Sequence, residues 1–173
     1  MNKKSVRGSA VLLNVITVIL IGVFVFVLWY PRHETIKLKK NFNAAIQAAE
    51  KVYEAAKTYY IEKNVWPSAM AELKVPVDAK AVSSWEISNK KFSCELAYGR
   101  GDQSRNEIKC SPIGKYASVL SYHIVLSGNS LHQRYCEAAK TNERANQMCK
   151  EIGGVFSHNR AGGVVLSIYI IQR

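Results

Sequence analysis

The stretch Ala10–Tyr30, AVLLNVITVILIGVFVFVLWY, dictates the fold class. Its 21 residues carry no charge, and only Asn14 and Thr17 are plainly polar. As an α-helix it would span ~30 Å, the hydrocarbon thickness of a bilayer. A secretory signal has an apolar region of roughly 7–15 residues followed by a small-x-small cleavage site. Here the run is longer and closes on Trp29, Tyr30 and Pro31, with no such site. Bulky aromatics at that point suit an interfacial belt. The expectation is a single-pass membrane anchor.

Working outward, Lys3, Lys4 and Arg7 precede the span, and no acid occurs before Glu34. Positive residues stay on the cytoplasmic side, which puts the N-terminus inside and the C-terminus outside. Arg32, Lys37, Lys39 and Lys40 on the far side weaken that asymmetry. The four cysteines all lie beyond residue 90, in agreement with an oxidising, periplasmic or extracellular location for the C-terminal part.

Past Pro31 the apolar residues Phe42, Ile46, Ala49, Tyr53, Ala56 and Tyr60 recur at helical spacing. Lys39, Lys40, Gln47, Lys51, Glu54, Lys57 and Glu62 fall mostly off that stripe. Pro31 can kink such a helix without ending it. In KNVWPSAMAEL, Asn64 can close the helix and Pro67 cannot continue it. One nearly continuous helix over residues 10–64 would be roughly 80 Å long.

The remainder reads as strands. WEISNKKFSCELAYGR (85–100) and NEIKCSP (106–112) are expected as the two arms of a hairpin, and YASVLSYHIVLS (116–127) as a third strand. TNERANQMCKEIGG (141–154) has the polar start and Gly-Gly stop of a short helix, and GGVVLSIYIIQR (162–173) is a β-branched final strand. The fold class is α+β: a long N-terminal helix, half membrane and half amphipathic, the second half packed on an antiparallel β-sheet. Four cysteines allow three connectivities. Placing Cys94 and Cys110 on the hairpin arms, and Cys136 and Cys149 around the short helix, favours Cys94–Cys110 and Cys136–Cys149. Each closes a loop of about 15 residues, worth roughly 3 kcal/mol in the chain-entropy account.

These features together resemble type IV pilins and pseudopilins. The resemblance rests on the short basic leader ending in Gly8, within RGSAVLLNV (7–15), the uncharged run of about twenty residues that follows, and an amphipathic helix ending in YYIEKNVWP. It implies a pilin-like fold and prepilin peptidase cleavage between Gly8 and Ser9, with Ser9 the methylated first residue. It also implies assembly with other subunits through the N-terminal helix, where Leu13, Asn14, Gly22 and Pro31 are the positions concerned. Gly22 falls where pilins commonly carry glycine, and Pro31 one residue beyond their usual kinking proline. CKEIGG (149–154), with Cys136 upstream, is similar to the C-terminal part of some pilin-like proteins. Two positions depart from the pattern. Ser9 stands where Phe or Met usually begins the mature chain, and Leu13 where the fifth residue is normally glutamate. Some minor subunits, notably the tip pseudopilin of type II secretion, also lack that glutamate, so the resemblance implies a minor or initiating subunit. The resulting division is a leader, 1–8; a transmembrane half-helix, 9–31; an amphipathic half-helix, 32–64; and a head with an antiparallel sheet and two disulfides, 65–173.

A formal charge of +11 leaves a basic exterior. Lys90, Lys91, Arg100 and Arg105 around the hairpin offer DNA a contact surface, and a generally basic soluble surface explains the same residues. Arg100-Gly101-Asp102 spells an adhesion tripeptide, which a tight polar turn explains as well. His33, His123, His132 and His158 show no metal-ligand spacing, and no nucleophile-elbow, HExxH or phosphate-loop motif occurs. The expected partners are membrane lipid, the peptidase and other subunits. Neither catalytic residues, a metal nor a cofactor is expected. The competing expectation is a membrane-anchored extracytoplasmic binding module that never polymerises, with DNA its first candidate ligand.

Overall fold

A computed structural model describes residues 4–75, 78–98, 106–126, 134–139, 141–152, 155–158 and 164–168. Arg100, Arg105, the Arg100-Gly101-Asp102 tripeptide and His132 lie outside them. The chain divides into two compact units, Met1–Leu38 and Lys39–Arg173.

Helix α1 runs from Lys4 to Lys63 and passes through Pro31. The proline removes one backbone donor, and the helix continues on its remaining bonds. In the first unit the apolar side chains from Val11 to Tyr30 are exposed, Leu13 at 64 %. One helix among the described residues is thus long and apolar enough to cross a membrane, with a mean hydropathy of 3.0 in its best window. Asn64 ends the helix in the left-handed region at φ 57°, with its N–H donating to Tyr60 O at 2.7 Å. Asparagine tolerates that conformation better than most residues.

In the second unit the helix buries Phe42, Ala45, Ala48, Ala49, Val52, Tyr53 and Ala56, none more than 2 % exposed. The stripe is therefore centred on small residues, which allow close approach to a sheet, and Ile46 and Tyr60 sit only half-buried at its margins. Lys39, Lys40, Gln47, Lys51, Glu54, Lys57 and Glu62 are all exposed. A 3-10 turn, Met70–Glu72, follows.

The described strands are β1 (Lys80–Ala81), β2 (Glu86–Ser88), β3 (Phe92–Tyr98), β4 (Asn106–Pro112), β5 (Leu120–Leu126), β6 (Arg134–Ala138), β7 (Val155–His158) and β8 (Val164–Ile168). Helix α2, Glu143–Glu151, lies between β6 and β7. Asn142 caps it by accepting from Ala145 N–H at 3.0 Å. All pairings are antiparallel, in the order β1-β2-β3-β4-β5-β6-β8-β7.

Four details differ from the sequence-based expectation, the first being the short edge strand β1, Lys80–Ala81, ahead of the hairpin. The first hairpin arm is broken in two by a turn at Asn89, whose Oδ1 accepts from Lys91 N–H at 2.7 Å and Phe92 N–H at 3.0 Å. The side chain thereby replaces strand pairing with a local turn. Next, Arg134–Ala138 is a strand in the middle of the sheet, where no element was expected. Finally, the C-terminal part is a hairpin of β7 and β8, not a lone strand.

One register row crosses the whole sheet: Ala81, Ile87, Cys94, Cys110, Tyr122, Cys136, Leu166 and Phe156. Side chains alternate faces along a strand, so from β3 to β6 this row marks the inner face. Cys94 bonds Cys110 across the β3–β4 pair, and Cys136 bonds Cys149 of α2. Tyr122 reaches Glu50 of α1. The second half of α1 and the whole of α2 thus cover the same face. Phe92, Leu96, Ile108, Leu120, Ile124 and Leu126 complete the core between the layers.

Candidate functional site

The expected assembly and processing positions all fall on α1. Gly8 and Ser9 lie within its helical backbone. Leu13 is exposed, and its carbonyl accepts from Thr17 Oγ1 at 2.8 Å. Nothing lies within 4 Å of a Cβ built on Gly22, so that flank of the helix is open. The Pro31 carbonyl accepts from Thr35 Oγ1 at 2.8 Å. Leu13, Asn14 and Gly22 therefore share a stretch with no packing within its own unit, the condition for meeting lipid or another helix.

Of the expected DNA-contact residues, Lys90 and Lys91 are described. They precede β3, at the end of the sheet away from Tyr98. The Lys91 carbonyl accepts from Ile113 N–H at 3.2 Å, which brings Lys115 to the same end. That neighbour was not legible from sequence, because the β4–β5 connection supplies it.

Two polar clusters in the head were also missed. On the inner face Arg134 is buried, and it donates from Nε to Glu50 Oε1 at 2.9 Å and from Nη2 to Glu50 Oε2 at 3.0 Å. Tyr122 OH donates to the same carboxylate at 3.1 Å, and the guanidinium lies 5.2 Å from the centre of the Tyr53 ring. Burial, followed by the Glu50 charge, pushes the Tyr122 phenol far above its usual value. The cluster clamps α1 to β5 and β6 through a planar, two-point ion pair.

On the opposite face His123 is buried between two glutamates. Nδ1 lies 3.3 Å from Glu107 Oε1; Nε2 lies 3.3 Å from Glu137 Oε2 and 3.0 Å from Ser121 Oγ. The Tyr135 ring stacks on the imidazole at 4.4 Å, and its hydroxyl donates to Glu107 Oε2 at 2.7 Å. Burial alone would favour neutral His123, but the hydrogen bonds and charges of Glu107 and Glu137 outweigh it and raise the imidazole above its ordinary value. Burial pushes Glu107 up, and His123 and Tyr135 together hold it below the usual carboxylate range. The His123 hydrogen bond does the same for Glu137, against burial.

Serine, histidine and glutamate meet here as in a nucleophilic triad, with the difference that a second glutamate faces the ring nitrogen beside the serine. A general base needs one ring nitrogen free to accept a proton. With a carboxylate facing each nitrogen, the imidazole takes up a proton more readily than a free histidine does. Ser121 is itself buried. Among the described residues no group of His, Cys, Asp and Glu could hold a metal ion. Comparison with protein-family models, curated proteins and solved structures finds no match to the chain.

Proposed function

We propose that the chain is a structural subunit, a minor pilin or pseudopilin of a type IV pilus or type II secretion filament. The observation that carries this reading is helix α1. One element holds an uncharged, exposed segment of membrane length and a segment buried on an antiparallel, disulfide-stapled sheet. Such a helix can rest in lipid and later pack against other helices, and neither step requires an active site. A polymerising subunit with a carboxylate in that apolar setting must pair it, because an unpaired charge there is costly. Leu13 removes both the cost and the partner, which suits a subunit with no neighbour above it. In this reading the N-terminus is cytoplasmic, the head is periplasmic or extracellular, and the protein performs no catalysis.

The lysines at one end of the sheet favour the second reading, an anchored module that binds a polyanion such as DNA and never assembles. N-terminal sequencing and intact mass of the protein from its host membranes separate the two. Cleavage between Gly8 and Ser9 is expected, with or without a methyl group on the new amine. A chain that still begins at Met1 would overturn the filament reading and leave the anchored module.

A further inference from the structure

We infer that Arg32, His33 and Lys37 form a collar for anionic phospholipid headgroups on the head side of the membrane anchor; the inference rests on α1 being inserted in a bilayer. At 3.6 residues per turn, Arg32, Ile36, His33 and Lys37 fall in that angular order on an arc about 140° wide. All four are exposed. Glu34, Thr35 and Leu38 occupy the other side and are half-buried or buried. The helix therefore turns its cations to one side and keeps its acid on the other.

Depth fits the same ligand. Trp29 and Tyr30 mark the hydrocarbon boundary, and the His33 ring stacks on Trp29 at 5.1 Å and 15°. Rising 1.5 Å per residue, Arg32 stands about 5 Å beyond Trp29 and Lys37 about 12 Å beyond it. The headgroup layer is ~5–8 Å thick, and a lysine stem reaches back several ångströms to place its ammonium there. Arg32 offers a planar fork to a phosphate, Lys37 a point charge and His33 a ring N–H. Neither Arg32 nor Lys37 forms an ion pair among the described residues, whereas Lys39 is already paired with Glu151. Cations on the translocated side oppose the orientation signal, and lipid phosphates would neutralise them.

The test reconstitutes the full chain into phosphatidylcholine vesicles containing a minority of phosphatidylglycerol. Flotation reports insertion, and electron spin resonance of spin-labelled phosphatidylglycerol and phosphatidylcholine gives the ratio of their association constants at the protein. Each cation near an anionic surface contributes a factor of roughly five. The expected result is a clear preference for phosphatidylglycerol that falls several-fold in R32Q/K37Q and is kept in R32K/K37R. The leader cations leave a residual preference on the other side. An unchanged ratio in R32Q/K37Q, with the chain still floating, would overturn the collar and leave the anchor intact. Failure to float would overturn the anchor and the collar together. Loss of preference in inorganic phosphate but not in chloride of equal ionic strength would identify a site for soluble phosphate, and would also overturn the inference.

Discussion

Replacing Glu50 by alanine is the sharpest test of how α1 is held to the sheet. The substitution leaves the Arg134 guanidinium, 8 % exposed at its side chain, without its two-point partner, and Tyr122 OH without its acceptor. Breaking a fully buried pair by removing one member costs about 3–5 kcal/mol. The Glu50 side chain is 36 % exposed, so water entering its place solvates part of the guanidinium. Discounting for that gives about 2–3 kcal/mol. For a unit of this size the loss lowers the melting temperature by roughly 6–15 °C. The assay is thermal unfolding of the full chain in detergent, followed by near-ultraviolet circular dichroism with the disulfides oxidised. The double variant E50L/R134M, which removes both charges and keeps the volume, should regain most of the loss. A shift within about 2 °C for Glu50→Ala, equivalent to less than ~0.5 kcal/mol, would refute the reasoning. Water and Tyr53 would then carry the guanidinium without Glu50.

Three further outcomes are expected. The raised His123 contributes stability that is complete below its ordinary value of 6.5 and is lost as pH rises through its folded value; the lowered Glu107 and Glu137 contribute above 4.5 and lose it as pH falls. Melting temperature should therefore peak in mildly acidic solution, and His123→Gln should flatten the alkaline limb; a profile rising steadily to pH 8 would contradict the cluster. Replacing Cys136 and Cys149 together by alanine should cost roughly 3 kcal/mol, read by urea unfolding, because α2 loses its covalent tie to β6. Asn64→Ala should destabilise by about 1 kcal/mol in the same assay while Asn64→Gly stays near neutral, since only the alanine strains the left-handed position.

The helical half of the fold was legible because its signals are long. An uncharged run, a 3.6-residue stripe and a left-handed Asn64 all act within one element. The short pieces were not. In β6 the inward positions are Arg134, Cys136 and Ala138, so an arginine stands where the alternation rule asks for an apolar residue. The reason, Glu50, lies 84 residues away. The turn at Asn89 was hidden because its hydrogen bonds come from the side chain, not from a Gly or Pro. The His123 cluster draws on three strands, and only the register of β4 and β6 against β5 brings Glu107 and Glu137 to the two ring nitrogens. The cysteine pairing was readable for the opposite reason, since each bridge closes a loop within adjacent elements.

The placement of the two bridges also governs how the head would respond to tension. Each holds its loop closed even when strands separate, so pulling on the ends of the second unit cannot extend the 16 and 13 residue steps between the paired cysteines. At ~3.5 Å per residue this withholds about 100 Å of contour length. An oxidised head stretched from α1 therefore stops short of a reduced one by that amount. The covalent lines run through the sheet's middle strands, so a head under load would yield first at β1, β2 and the β7–β8 hairpin and keep β3–β4 and β6–α2 tethered.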